Sequence, residues 1–405
     1  MKSEIYLVTP WFGTFAGGGE ATFRALSKKF KACGIDVTVL TTTSKSPYLD
    51  WHKDAHPAGE SVVDGTRTIR FEVDQRNQDD FHLAVRKRLD GLPVERHLQD
   101  AFFTLGMNSQ KLIDFASKLP KHVPILAGHY YQALAPSLIN AVPDRISFMP
   151  AFHDEPEFYW SPIEASVKRA RHLLYLSQEE KRLTIAAHGR TGGRKVVEAP
   201  VVGLGVELPV SLESREKMKA MRLSVAEKFK LPGRYFIYVG RIEEGKGLSY
   251  LLPWYEEWSA QREAVGLPTI PLVLVGAGNM EIVPKSKHFI STGYVSLEEK
   301  FAIASGAIAL INPSVMESFS YVVMESWLVG RPVVVPRQCA VTSGHCDRSG
   351  GGEVFADQAQ FEAALNKLTQ SDVADVLGEA GRKFVNQEYG WPVVMTRLLH
   401  AMELA

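Results

Sequence analysis

The 405-residue chain predicts an α/β protein built from two doubly wound units, each a parallel sheet covered by helices on both faces. Length is the first reason: one hydrophobic core stops growing at about 250–300 residues, so a chain of this size divides into two domains of about 200 residues each. The second is alternation, because short β-branched runs and longer helical patterns follow one another throughout, as parallel strands joined by helices require. The third is a restart, in which a Gly- and Pro-bearing stretch at 203–212 leads into a charged helical run at 213–230 and a new series of strands.

In the first half, strands are expected at 5–9, 36–41, 67–73, 124–129, 146–152, 172–177 and 196–202. In the second half they are expected at 235–240, 271–276, 288–292, 308–312, 332–336 and 353–355. The units then span 1–207 and 208–385, with a terminal helix in 386–405.

Composition narrows the class of function. With 45% hydrophobic and 23% charged residues the chain reads as an ordinary globular protein, and its formal net charge of zero gives no electrostatic footprint for nucleic acid. Met1-Lys2-Ser3-Glu4 carries charge too early for a secretory leader, and no run approaches the roughly 18 apolar residues of a membrane span. A cytoplasmic location is expected. Cys33, Cys339 and Cys346 match neither a CxxC nor a disulfide framework, and His345-Cys346 lacks a second ligand pair, so loop residues are expected there and no metal site. The basic stretches Arg86-Lys87-Arg88 and Lys168-Arg169-Ala170-Arg171 read either as solvated helix faces or as a peripheral contact with an anionic inner membrane face.

Ligands of open α/β sheets sit outside the carboxyl ends of the strands, so the loops there carry the chemistry. After the first strand comes Gly17-Gly18-Gly19-Glu20 and then a helix. Consecutive glycines allow close backbone approach, and the helix N-terminus offers N–H groups to an anion. A plain turn and an NAD site are the rivals. The glycines do not complete GxGxxG, and the second strand ends in Thr41-Thr42-Thr43 where a ribose-binding acid would stand.

The second half opens with Gly240-Arg241 and Lys246-Gly247 after a strand, a loop whose two cations can neutralise a diphosphate. Gly276-Ala277-Gly278 and Gly293-Tyr294-Val295 follow later strands, where small residues let a nucleotide base meet exposed backbone beside Tyr294 or Val295. The segment Asn312-Pro313-Ser314 runs through Glu317-Ser318-Phe319-Ser320-Tyr321 to Glu325, and Gly330-Arg331-Pro332 ends the helix. Glu317 stands just before that helix and Glu325 inside it, while amides of Ser320 and Tyr321 at its N-terminus can hold phosphate oxygens.

Glu317 and Glu325 form an E-x7-E motif, and the chain resembles glycosyltransferase family 4, of retaining enzymes with the GT-B fold. Gly17-Gly18-Gly19, His153, Gly205-Val206-Glu207, Gly240-Arg241, Lys246-Gly247, Gly276-Ala277-Gly278, Gly293, Pro313-Ser314 and Gly330-Arg331-Pro332-Val333 carry the likeness over nearly the full length. The resemblance implies two Rossmann-like domains facing each other across a cleft, the first on the acceptor side and the second binding a nucleotide-sugar. It implies Arg241 and Lys246 on the donor diphosphate, Glu317 and His153 on the donor sugar, and Glu325 on the ribose. His129 is a weaker candidate for acceptor contact. The remaining expected donor-binding positions are Gly17, Gly18, Gly19, Gly240, Gly276, Gly278, Tyr294, Val295, Ser318, Phe319, Ser320 and Tyr321.

The implied reaction moves a hexosyl group from a UDP- or GDP-sugar to a glycan, a lipid-linked glycan or a small acceptor, as in polysaccharide biosynthesis. No cofactor is expected, because the cations make a metal unnecessary and these loops show no DxD motif. A sugar-nucleotide epimerase or phosphorylase on the same fold, and a non-catalytic sugar-nucleotide-binding subunit, are the alternatives. The family pattern Glu-Gly-Phe-Gly is replaced here by Glu317-Ser318-Phe319-Ser320, so the donor is not read by analogy.

Overall fold

The computed structural model describes residues 4–13, 18–45, 54–75 and 77–404. The chain forms two compact units, one of Met1–Leu204 with Val394–Ala405 and one of Gly205–Val393. Segments 205–206 and 389–391 run together within the second unit. The Val206 N–H donates to the Tyr389 carbonyl at 2.9 Å, and a Cβ on Gly205 would stand 2.2 Å from the Trp391 ring.

The first sheet has seven strands: β1 (Glu4–Val8), β2 (Asp36–Thr42), β3 (Gly59–Val63), β4 (Thr66–Phe71), β5 (Ile125–Ala127), β6 (Ile146–Phe148) and β7 (His172–Leu173). Their order is β3-β4-β2-β1-β5-β6-β7, parallel throughout except for the antiparallel β3–β4 pair. The central strands are apolar and covered, so Ile5, Leu7, Ile125, Ile146 and Phe148 are fully buried between helical layers.

Two expectations fail here. β3 was not anticipated; Asp64 and Gly65 both take positive φ in a two-residue hairpin turn, and β3 is an exposed edge strand with no apolar run to announce it. The run 196–202 is not a strand. Its valines end the helix Gln178–Glu198, and only Val201 pairs, in a single bridge with Tyr175.

The second sheet has six strands: β8 (Phe236–Val239), β9 (Leu272–Val275), β10 (Phe289–Gly293), β11 (Leu310–Ile311), β12 (Val333–Pro336) and β13 (Gly352–Phe355). Their order is β10-β9-β8-β11-β12-β13, and every pair is parallel. The chain therefore starts in the middle, winds outward through β9 and β10, and returns to the other side of β8. The strand order reverses between β8 and β11, and in the first sheet between β1 and β5. At such points the two following loops diverge and leave a crevice.

Glycines bring these loops together. Gly276 has φ 146°, and a Cβ there would lie 1.8 Å from the Gly240 carbonyl oxygen; at Gly278, with φ 150°, it would lie 2.3 Å from the Ile242 carbonyl oxygen. The loops after β8 and β9 thus touch backbone to backbone, with Ile242 donating to the Ala277 carbonyl at 3.0 Å and Asn279 donating to the Ile242 carbonyl at 2.7 Å. Gly276→Ala is expected to lower unit stability by at least about 2 kcal/mol, through both clash and strain. Gly266→Ala, at φ 75° with open space around it, should lose only about 1 kcal/mol. Chemical denaturation of the two variants checks the difference.

Candidate active site

In the second unit the reversal of strand order sets the β8 loop against the β11 loop. Gly247, in the left-handed region at φ 80°, would put a Cβ 2.4 Å from the Pro313 carbonyl oxygen, and the Tyr250 hydroxyl donates to that same oxygen. This contact carries Lys246 to the β11 loop, where its Nζ lies 3.4 Å from Glu317 Oε1. Both side chains are partly covered, 32% and 18% exposed, so the pair keeps more of its Coulomb attraction than a surface pair would. Arg241 stands on the same loop and meets Glu243 at 2.9 Å. The Tyr238 hydroxyl donates to the Arg241 carbonyl at 2.6 Å and fixes the start of that loop. Lys246 and Glu317 are therefore paired, and Arg241 stands beside Gly240 at the start of the loop that carries Lys246.

The β11 loop turns into the helix Tyr321–Leu328 through Ser320, a non-glycine residue at φ 69°. Asn312 Nδ2 donates to Ser320 Oγ at 2.9 Å, and Asn312 Oδ1 accepts the Ser314 N–H at 3.2 Å. Left-handed backbone costs a residue with a Cβ about 1–2 kcal/mol, and one buried hydrogen bond returns about 1 kcal/mol. Ser320 is thus tolerated where the family pattern has glycine. The helix begins at Tyr321, and first-turn N–H groups have no intrahelical carbonyl to meet.

Glu325 lies within that helix and pairs with Lys300 at 2.5 Å; both side chains are largely covered. Lys300, on the helix Leu297–Gly306, was missed by sequence reasoning. It lies 25 positions from Glu325, and no spacing rule joins two helices of that separation. The only available signal was its place in the helix that follows Gly293-Tyr294-Val295.

Other expected donor contacts are placed differently. The Phe319 ring is 2% exposed and packs edge-on against Tyr321, His345 and Tyr389, so this side chain belongs to the core and only its backbone remains for a ligand. Gly276 and Gly278 face the neighbouring loop, as described, which is why they lack side chains. Tyr294 is 73% exposed, Val295 is partly covered, and Ser318 lies in the loop before the helix. His345 is fully buried and pushed down to about 3 by desolvation and then by Arg348, while burial raises the Cys346 thiol. Among the described residues no group of three potential metal ligands occurs.

The first unit collects Gly18, Gly19, His129 and His153 by the same topological rule. Gly17 lies outside the described residues. Gly18 and Gly19 open the helix Gly18–Ala32, and a Cβ on Gly19 would stand 2.5 Å from His129 Nε2. His129 stacks on Trp11 and meets Phe23 edge-on, and burial followed by the charge of His153 pushes it down to about 4. The Thr42 hydroxyl donates to the Pro10 carbonyl at 2.6 Å, so the threonines of β2 brace the β1 loop where a dinucleotide fold would present an acid.

Four residues of the basic stretches make ion pairs within the first unit. Lys87 pairs with Glu95, Arg88 with buried Glu157 at 2.6 Å, Lys168 with Glu164 at 2.8 Å and Arg171 with Glu403. Among the described residues no helix is long and apolar enough to cross a membrane.

His153 is carried by the β6 loop, which Glu180 holds. That carboxylate, 1% exposed, accepts the Phe152 N–H at 2.8 Å and the Leu176 N–H at 2.5 Å, tying the ends of β6 and β7.

Two Rossmann-like units, each with a reversed strand order, give the chain the GT-B fold. Solved structures share this fold. Sucrose-phosphate synthase from Thermosynechococcus elongatus aligns at TM-score 0.70 with 15% identity, covering 99% of this chain and 98% of its own. Anabaena HepE in complex with UDP and glucose aligns at 0.67 with 12% identity over 100% of both chains. α,α-Trehalose 6-phosphate synthase from Burkholderia multivorans aligns at 0.69 with 11% identity over 99% and 98%. Residues 233–371 match the family model described as "Glycosyl transferases group 1", so the second unit carries a glycosyltransferase domain. No curated protein sequence matches the chain.

Burial lifts Glu180 to about 8, against the pull of the backbone N–H groups of Leu176, Phe152, Ser177 and Ala151. Its folded value lies above the ordinary 4.5, so its contribution to stability is complete below about pH 4.5 and declines as pH rises to about 8. The melting-temperature difference between wild type and Glu180→Gln should therefore move against wild type from about pH 5 to pH 8. A constant difference would reject this account.

Proposed function

We propose that the protein is a retaining glycosyltransferase of the family 4 type, which transfers a hexosyl group from a nucleoside-diphosphate sugar to a carbohydrate acceptor. The observation that carries this reading is the pairing of Lys246 with Glu317, on a loop that also bears Arg241, at the strand-order reversal of a group 1 glycosyltransferase domain.

Breaking the glycosyl–phosphate bond builds negative charge on the leaving diphosphate and positive charge at the anomeric carbon. Arg241 and Lys246 neutralise the diphosphate, assisted by the N–H groups at the start of the helix Tyr321–Leu328. Glu317 accepts hydrogen bonds from sugar hydroxyls, and Lys246 orients its carboxylate. Glu325, held by Lys300, accepts those of the ribose. The N–H groups and cations are fixed before the reaction, so they stabilise the developing charge without reorganising. Retention follows front-face attack in which the leaving phosphate takes the acceptor proton. The two cations do the work a metal does elsewhere, so no metal is required.

UDP, bound in the Anabaena HepE structure, is the first nucleotide to test. The names of the two synthases point to sugar phosphates as one acceptor class, beside glycans and lipid-linked glycans. The internal pairing of the basic stretches favours a soluble acceptor over a membrane-bound one.

A panel of UDP-, GDP- and dTDP-sugars, scored by thermal stabilisation and nucleotide release, identifies the donor. With that donor, Glu317→Ala and Lys246→Met are each expected to lower transfer about 100-fold or more, with Tm within a few degrees of wild type. Unchanged transfer in Glu317→Ala would remove the assignment. Transfer should also persist in excess EDTA, and its loss there would overturn the metal-independent mechanism.

A further inference from the structure

The first unit holds a side-chain chain that the proposed chemistry leaves unused. His153 Nδ1 lies 3.4 Å from Glu155 Oε1, and the Tyr130 hydroxyl donates to that same oxygen. The Glu155 side chain is 10% exposed while the imidazole is 32% exposed, so the carboxylate lies beneath the ring and the ring faces outward. The loop is built to keep this arrangement. Ala151 takes φ 58°, the Glu155 N–H donates to the His153 carbonyl at 3.0 Å, and Pro156 opens a short 3-10 turn, Pro156–Tyr159, directly afterwards.

We propose that Glu155 is a positioning residue that fixes the tautomer of His153, accepting its Nδ1–H so that Nε2 is presented as a hydrogen-bond acceptor for a sugar hydroxyl. This rests on the assignment of His153 to the sugar-binding machinery.

A neutral imidazole carries one proton on one of two nitrogens, and the partner of one nitrogen decides what the other can do. When ionised, Glu155 can only accept hydrogen bonds, so it takes the Nδ1–H rather than offering a proton of its own. Burial would raise its carboxyl, but the donors His153 and Tyr130, and the more distant Arg88, hold it below the ordinary range. Burial keeps the Tyr130 phenol protonated, so it stays a donor to Glu155. With Nδ1–H committed to Glu155, Nε2 has its lone pair outward and selects a partner with a proton to give. A hydroxyl has one; a phosphate oxygen does not. The pair thereby favours the sugar over the diphosphate at this position.

The test reads the tautomer directly. Long-range 15N–1H spectra of the whole protein at a pH where His153 is neutral, with the His153 signals assigned by their loss in His153→Phe, should show Nδ1 protonated and Nε2 bare in wild type. In Glu155→Ala the proton should move mainly to Nε2. With the donor found by the nucleotide-sugar panel, kcat should fall at least tenfold while thermal stabilisation by the nucleotide alone is unchanged. Glu155→Gln keeps an acceptor oxygen and should retain the wild-type tautomer.

Nε2–H as the main wild-type tautomer overturns the proposal, and so does an unaltered His153 spectrum in Glu155→Ala. Should Glu155→Ala fail to fold, the wild-type spectrum decides alone. If His153→Ala leaves transfer intact, the sugar-binding assignment falls, and the tautomer result still reports on Glu155 independently.

Discussion

The site in the second unit depends on one close approach of backbone to backbone, Gly247 against the carbonyl of Pro313. A side chain at 247 would separate the β8 and β11 loops, and Lys246 could no longer reach Glu317. The topology creates the need for this contact. Where strand order reverses, successive connections leave in opposite directions and nothing in the helical layers holds their loops together. Gly247 and the Tyr250 hydroxyl supply that hold on one side of β8, and Gly276 and Gly278 supply it on the other, against Gly240 and Ile242.

Electrostatic organisation follows from this scaffold. Each glutamate of the E-x7-E motif has its own lysine, Glu317 with Lys246 and Glu325 with Lys300, and all four side chains are partly covered. Pairs in such places are screened less by water and salt than surface pairs, and their rotamers are already chosen. Charge fixed in advance in this way need not reorganise when a charged ligand reacts beside it. The first unit handles carboxylates differently. Glu180 accepts backbone N–H groups and pins loop ends, Glu157 answers Arg88, and Glu155 answers a histidine and a tyrosine. Three acids thus tie together the β6 and β7 loops around His153.

The serine at 320, where the resembled pattern Glu-Gly-Phe-Gly has glycine, has a local explanation. Ser320 occupies left-handed backbone that glycine would enter freely, and Asn312 compensates by bonding its hydroxyl. The Phe319 ring lies among Tyr321, His345 and Tyr389 and anchors the loop to the interior. His345 and Cys346, expected in a loop, lie instead in the helix Ala340–Ser349, where burial pushes the imidazole down to about 3 and raises the thiol.

The sequence by itself determined the two-unit α/β plan, because buried parallel strands need continuous apolar runs and leave them visible at β1, β2, β8, β9 and β12. It also marked the loops at the strand ends, since glycine there signals close approach of backbone, as Gly247, Gly276 and Gly278 show. It did not reveal β3, whose edge position removes the need for apolar residues, nor separate the helix-ending valines at 196–197 from a strand. Only the tertiary structure decided which charges meet. Lys300 finds Glu325, Glu155 lies beneath His153, and Gly276 faces Gly240, all through contacts whose partners are set by strand order and loop path. Local pattern records what each residue needs from its own element. Pairing across elements is a property of how the sheets are wound.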